Sequence, residues 1–153
     1  MPLPNIFTRE VSDGLIDRIN KLTPESQRQW GKMDVSKMLA HCCVTYEMVY
    51  EPGKHPKPNP VMALILKLFV KRVVTGEKPF KKNNPTAPQF IMKTDKDFEP
   101  EKARLIEFIT RTQQLGEDEF DGKVSDSFGK LSRTEWNNMF YKHVDHHLTQ
   151  FGA

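Results

Sequence analysis

Apolar residues recur at helical spacing in several long stretches of this chain, and proline and glycine break the pattern between them. Val11, Leu15, Ile19 and Leu22 line one face of residues 8–22, with Ile16 beside them, which predicts a first helix. Gly14 weakens that helix slightly, Thr23-Pro24-Glu25 ends it, and Trp30-Gly31 punctuates the connection that follows. Asp34 is suited to cap a second helix running to about residue 50, with Val35, Met38, Leu39, Cys42, Tyr46 and Val49 as its buried stripe. His41 falls at the margin of that stripe. Pro52-Gly53 closes the helix, and Pro56, Pro58 and Pro60 keep the next stretch extended.

A third apolar run, residues 61–74, follows Asn59-Pro60 and is interrupted by Lys67, Lys71 and Arg72. It is too short and too charged to cross a bilayer, which takes about 20 apolar residues. A basic amphipathic helix of this kind can lie on a membrane surface, but packing against its own domain or a partner subunit, as in a homodimer, is the expected role. Residues 76–88 hold Pro79, Pro85 and Pro88 among lysines and asparagines, a long loop of the sort that often serves function as a wall or lid. Residues 89–93 are extended at most. Glu99-Pro100 places proline at the expected first position of the next helix, whose face carries Leu105, Phe108, Ile109, Thr112 and Leu115 before Gly116 stops it. The acidic run 117–121 reads as a solvated loop.

The last helix has both ends written into the sequence. Ser132 and Glu135 have the spacing of a capping box, Leu131 and Trp136 that of a hydrophobic staple, and Gly152 is placed to end the helix in the left-handed conformation. Trp136, Phe140, His143 and His147 share one face. The sum is an all-α fold, a four-helix bundle with an additional amphipathic helix and Pro-rich crossover loops.

Composition narrows the function classes. A chain of 153 residues suits one compact domain over 1–153. The net charge of +3, with the signs interleaved, is too mild to imply nucleic acid. Met1-Pro2-Leu3-Pro4 does not resemble a signal peptide, and Cys42 and Cys43 are the only cysteines and adjacent, so no disulfide framework is expected; a cytoplasmic location follows. Both cysteines read as small buried hydrophobes. Neither a Gly-rich phosphate loop after a strand nor a nucleophile elbow is present.

The chemistry rests on imidazoles. Histidines at i and i+4 project in parallel from one helix face and can reach one ion about 2 Å from each ring nitrogen. His146 points about 100° away from His147 and cannot easily share that ion. A lone H-x-x-x-H also fits solvated or hydrogen-bonded core histidines, and a metal site needs a third ligand and outer hydrogen bonds.

Three segments carry a wider resemblance: Trp30-Gly31-Lys32-Met33-Asp34 with Met38-Leu39-Ala40-His41; Phe128-Gly129-Lys130-Leu131 into Glu135-Trp136; and Tyr141-Lys142-His143-Val144-Asp145-His146-His147-Leu148-Thr149-Gln150-Phe151-Gly152. In this order they resemble the DinB-like superfamily of four-helix proteins, in a branch catalogued as a domain of unknown function. The resemblance implies a divalent metal held by His41, His143 and His147; for imidazole ligands zinc or nickel is the first expectation and iron or manganese the next. Similar proteins include bacillithiol-dependent and other thiol S-transferases and the mycothiol-dependent maleylpyruvate isomerase. It therefore implies thiol transfer or hydrolysis of a small-molecule substrate, with a low-molecular-weight thiol as a candidate cofactor. Met38, Thr45, Trp136 and Phe140 are candidate pocket residues, and Gln150, one turn after His147, is a candidate to orient a ligand. The alternative is a non-catalytic helical protein with a structural or sensory metal, acting by association through the 61–74 helix. At Ser125-Asp126 the chain departs from the His-Pro pair associated with that place, so no site role is assigned to that loop.

Overall fold

The computed structural model describes residues 1–153. The chain folds as helices α1 (Arg9–Asn20), α2 (Val35–Tyr50), α3 (Pro60–Ile65, continued by a π-helical turn Leu66–Val70 and by Lys71–Thr75), α4 (Phe98–Leu115), the one-turn α5 (Glu117–Phe120) and α6 (Arg133–Gln150). A 3-10 turn, Pro88–Phe90, precedes α4, and two-residue strands β1 (Val124–Ser125) and β2 (Gly129–Lys130) pair antiparallel before α6. The fold is all-α and bundle-like. α1, α2, α4 and α6 share one core cluster of 23 buried residues. α2 packs most extensively on α4, while α6 touches α1, α2 and the last turn of α3.

Local chemistry accounts for the element ends. Thr8, Asp34 and Asn59 each accept a backbone N–H of the first turn of α1, α2 and α3 through their side chains. Ser132 and Glu135 form the reciprocal capping box of α6. Gly152 ends that helix at φ +71°. The core is rich in aromatic rings: Tyr46 stacks on Phe140 at 4.9 Å, and Phe120 meets Trp136 and Phe140 edge-on.

Several expectations are corrected. The acidic stretch 117–121 is not a solvated loop: Gly116, at φ +79°, reverses the chain into α5, which drives Phe120 fully into the core. Leu115 is correspondingly displaced to the surface instead of lining the α4 face. α4 starts at Phe98, so Pro100 is its third residue, where proline still forfeits only an unpaired N–H. Residues 88–90 form a turn of helix rather than an extended segment. The hairpin β1–β2 was not expected; two-residue strands leave no readable alternation.

The 61–74 run is helical, but packing claims only one edge of it. Leu66, Val70 and Val74 lie against the core, while Val61, Met62, Leu64, Ile65, Leu68, Phe69 and Val73 are exposed. No helix is long and apolar enough to cross a membrane.

Candidate metal centre

His41 comes from the middle of α2, and His143 and His147 from successive turns of α6. Their ligand atoms lie within 4.8 Å of one another. His143 Nε2 is 2.9 Å from His41 Nε2. Two nitrogens each bound to one ion at about 2.0–2.1 Å lie about 3.0–3.4 Å apart, so these two already sit near ligand spacing.

Each ring is fixed from outside through Nδ1. His41 Nδ1–H donates to the Phe90 carbonyl at 2.9 Å. His147 Nδ1–H donates to Gln150 Oε1 at 2.8 Å, and the Gln150 amide Nε2 in turn donates to the Trp30 carbonyl at 2.8 Å, which settles which end of Gln150 faces the imidazole. His143 Nδ1 meets the Thr45 hydroxyl at 3.2 Å. A carbonyl oxygen can only accept, so His41 and His147 carry their protons on Nδ1 and turn Nε2 lone pairs inward. Two lone pairs converging on His143 Nε2 need a proton or a cation between them. A divalent ion suits this donor set: three neutral imidazoles, each with an outer hydrogen-bond partner.

Burial keeps the rings neutral. It pushes His41 below the ordinary histidine value, His147 down to about 3, and His143 well below, with the neighbouring imidazoles adding to all three shifts. The lone pairs are therefore free for a metal at neutral pH.

The cluster opens into a cavity of about 1290 Å³ between α2, α3, α6 and the loops 76–97 and 121–129. His41, His143, His147, His146, Thr45, Trp136 and Gln150 all line it. Met38 and Phe140 do not: both are fully buried, Met38 against Cys42 Sγ at 3.8 Å and Phe140 in the aromatic stack. They share the helical faces of the ligands but lie on the core side, a distinction that spacing alone does not make. His146 stands edge-on to Trp30, Phe80 and His147, at 5.6, 5.7 and 5.1 Å, outside the ligand cluster. Five lysines (Lys32, Lys37, Lys57, Lys81, Lys123) and a single carboxylate, Asp126, line the cavity; Lys37, Lys57 and Lys123 pair with carboxylates, and the unpaired Lys32 and Lys81 leave a modest field that favours an anion. Lys81, Asn83, Asn84 and Pro85 of the 76–88 loop form part of the wall.

The hairpin that the sequence left without a role brings Ser125, Asp126 and Ser127 to the same wall. Also unread were Asn138 and Lys142, one turn apart on α6. Asn138 Nδ2 donates to Thr75 O, and the Lys142 ammonium donates to Val73 O, Gly76 O and Lys78 O. Their spacing on the ligand-bearing helix was a signal, but their partners lie more than 60 residues away. Cys42 and Cys43 are fully buried; burial raises both thiols, Cys43 to about 12, so neither is a nucleophile. His55 is bonded to Glu47 at 2.9 Å, away from the cluster.

No curated protein and no solved structure matches the chain. Residues 8–153 match a family described as "Protein of unknown function (DUF1569)". That match spans the capped first helix, all three histidines and the terminal glycine, and the chain belongs to this family.

Proposed function

We propose that this chain is a metal-dependent enzyme of the DinB-like group, holding one divalent ion, zinc or nickel, on His41, His143 and His147. The observation that carries the reading is the convergence of three neutral, externally oriented imidazoles on the wall of a large cavity. A closed structural site would instead gather four protein ligands, and the cluster has three. An ion held there supplies Lewis acidity, lowering the pKa of a thiol or a water molecule. The protein's own part is orientation and exclusion of water. Thr45, Gln150 and the Phe90 carbonyl hold the rings; Trp136, Phe128 and Phe90 form apolar wall; the lysines attract an anionic substrate or thiol.

Thiol transfer to an electrophilic acceptor fits this arrangement. The sulfur forms a bond to the acceptor carbon, the leaving group departs with the bonding electrons, and the thiol proton passes to water. Hydrolysis would use the same centre with water in place of the thiol. The chain would act as one domain, with the 76–88 loop as a lid.

The test is elemental analysis of tag-free protein, joined to turnover of low-molecular-weight thiols with electrophilic acceptors. The expected result is about one divalent ion per chain, lost in His143→Ala and retained in His55→Ala, with turnover lost in parallel. Full metal occupancy in His143→Ala would overturn the assignment, and a loaded protein without turnover of thiols or hydrolysable esters would leave a sensory or structural metal.

A further inference from the structure

Over the whole chain the charges are mixed, but one segment departs from that mixture. Residues 52–94 carry nine Lys or Arg and a single carboxylate, Glu77; the other residues carry fourteen basic against nineteen acidic side chains. Glu77 is itself engaged, 3.5 Å from the terminal ammonium of Met1. Lys54, Lys57 and Lys71 have carboxylate partners, whereas Lys67, Arg72, Lys78, Lys81, Lys82 and Lys93 have none.

The same segment contains α3, whose outer face is apolar. Seven of the chain's eleven exposed large hydrophobics lie on it, with Val61 at 70% and Phe69 at 71% exposure. Lys67 and Arg72 are interleaved with them and exposed. This is the surface pattern of a helix lying in a membrane interface: an apolar face with cations and no carboxylate. The π-helical turn, closed by the Lys71 N–H bonded to Leu66 O, sits at the middle of the exposed run.

We infer that α3 docks the protein on an anionic lipid bilayer, its apolar face in the acyl boundary and its cations against the headgroups. A second copy is the weaker occupant, because an isologous contact would set this carboxylate-free, cationic face against itself. Nucleic acid would match the charge and leave the aliphatic face unsatisfied. Phe69 and Val73 are exposed and also line the cavity, so docking sets the cavity rim at the lipid surface.

The experiment is co-sedimentation of the full chain with phosphatidylglycerol vesicles and with phosphatidylcholine vesicles, alongside the molar mass in solution. Binding to the anionic vesicles is expected to exceed that to the zwitterionic ones by about tenfold or more and to weaken with added salt. Leu64→Glu/Leu68→Glu should abolish it, while Lys67→Glu/Arg72→Glu should reduce it with the apolar face intact; all four residues are exposed, so folding, read by circular dichroism, should persist. Absent or equal binding to the two vesicle types, or a solution dimer that Leu64→Glu/Leu68→Glu dissolves, would overturn the inference. The readout uses neither metal nor turnover, so its failure leaves the three-histidine reading untouched.

Discussion

Gln150 links two distant motifs through its amide. Its Oε1 holds His147 and its Nε2 holds the Trp30 carbonyl, and this clasp has room only because residue 31 is glycine. A Cβ at Gly31 would stand 2.6 Å from Gln150 Nε2, and the backbone there is left-handed at φ +83°. Gly31→Ala is therefore expected to cost about 1–2 kcal/mol from the backbone alone and to push the Gln150 amide off His147. Loss of such an outer partner typically weakens metal binding about 10- to 100-fold. Gly53→Ala is the control: φ is +88°, but a Cβ there meets nothing within 4 Å. Competition with a chromogenic chelator should show weakened metal binding for Gly31→Ala and Gln150→Ala and none for Gly53→Ala. Equal affinity in all three would mean that the clasp does not act on the site.

At the scale of elements, α6 is the organiser. Beyond its two histidines of the ligand cluster it fastens the end of α3, where Lys142 presents three protons to three carbonyls at 2.6, 2.6 and 3.0 Å. Burial alone draws this ammonium down to about 8, but the one-to-one match of protons to acceptors favours the charged form. Lys142→Met keeps the stem and removes all three donors, leaving three partly buried carbonyls without this partner. A loss of about 2–3 kcal/mol in urea unfolding is expected, with faster amide exchange at residues 73–78; unchanged exchange there would show that α3 is held by its apolar edge alone. Much of α6 was legible in the sequence because its caps are local: Ser132, Glu135 and Gly152 act within a few residues. The pairing of His143 with His147 was legible for the same reason. The Lys142 contacts, the Phe90 carbonyl beside His41 and the hairpin wall are set by tertiary approach over tens of residues, and no periodicity encodes them. The α3 stripe misled in a different way. Spacing identifies an apolar face but not what covers it, and only Leu66, Val70 and Val74 found the core.

For the whole molecule, acid should act in two overlapping windows that begin at different pH values. The three histidines are held neutral, so around pH 7 folded and unfolded chains carry the same protons there. As the pH falls below about 6.5, the unfolded chain takes up protons that the folded one refuses, and stability drops by up to about 1.4 kcal/mol per pH unit for each histidine. His147, held down to about 3, and His143, held well below the ordinary value, extend this loss far into the acid range. Glu47 behaves otherwise. Burial opposes its ionisation, but hydrogen bonds from Arg104, Lys54 and His55 outweigh that and leave its carboxyl below the ordinary value. Its contribution is present above about pH 4.3, the unfolded value, and is lost only as the pH falls further, through its folded pKa. Metal-stripped protein should thus lose stability from about pH 6.5 downward, and Glu47→Gln should lower stability at pH 7 while removing only the part of the loss that lies below about pH 4.3. Added zinc, binding the folded state alone, should raise the midpoint at pH 7 by mass action, about 4 kcal/mol at a thousandfold excess over Kd. It should also delay the first acid window, because protons must then displace an ion as well as enter a buried site. His143→Ala should abolish the zinc effect and shrink the first window without touching the second. Thermal melts from pH 3 to 7, with and without zinc, measure all of this; a metal-stripped protein equally stable at pH 7 and pH 5 would show that the imidazoles are not held neutral, and the metal assignment would lose its electrostatic basis.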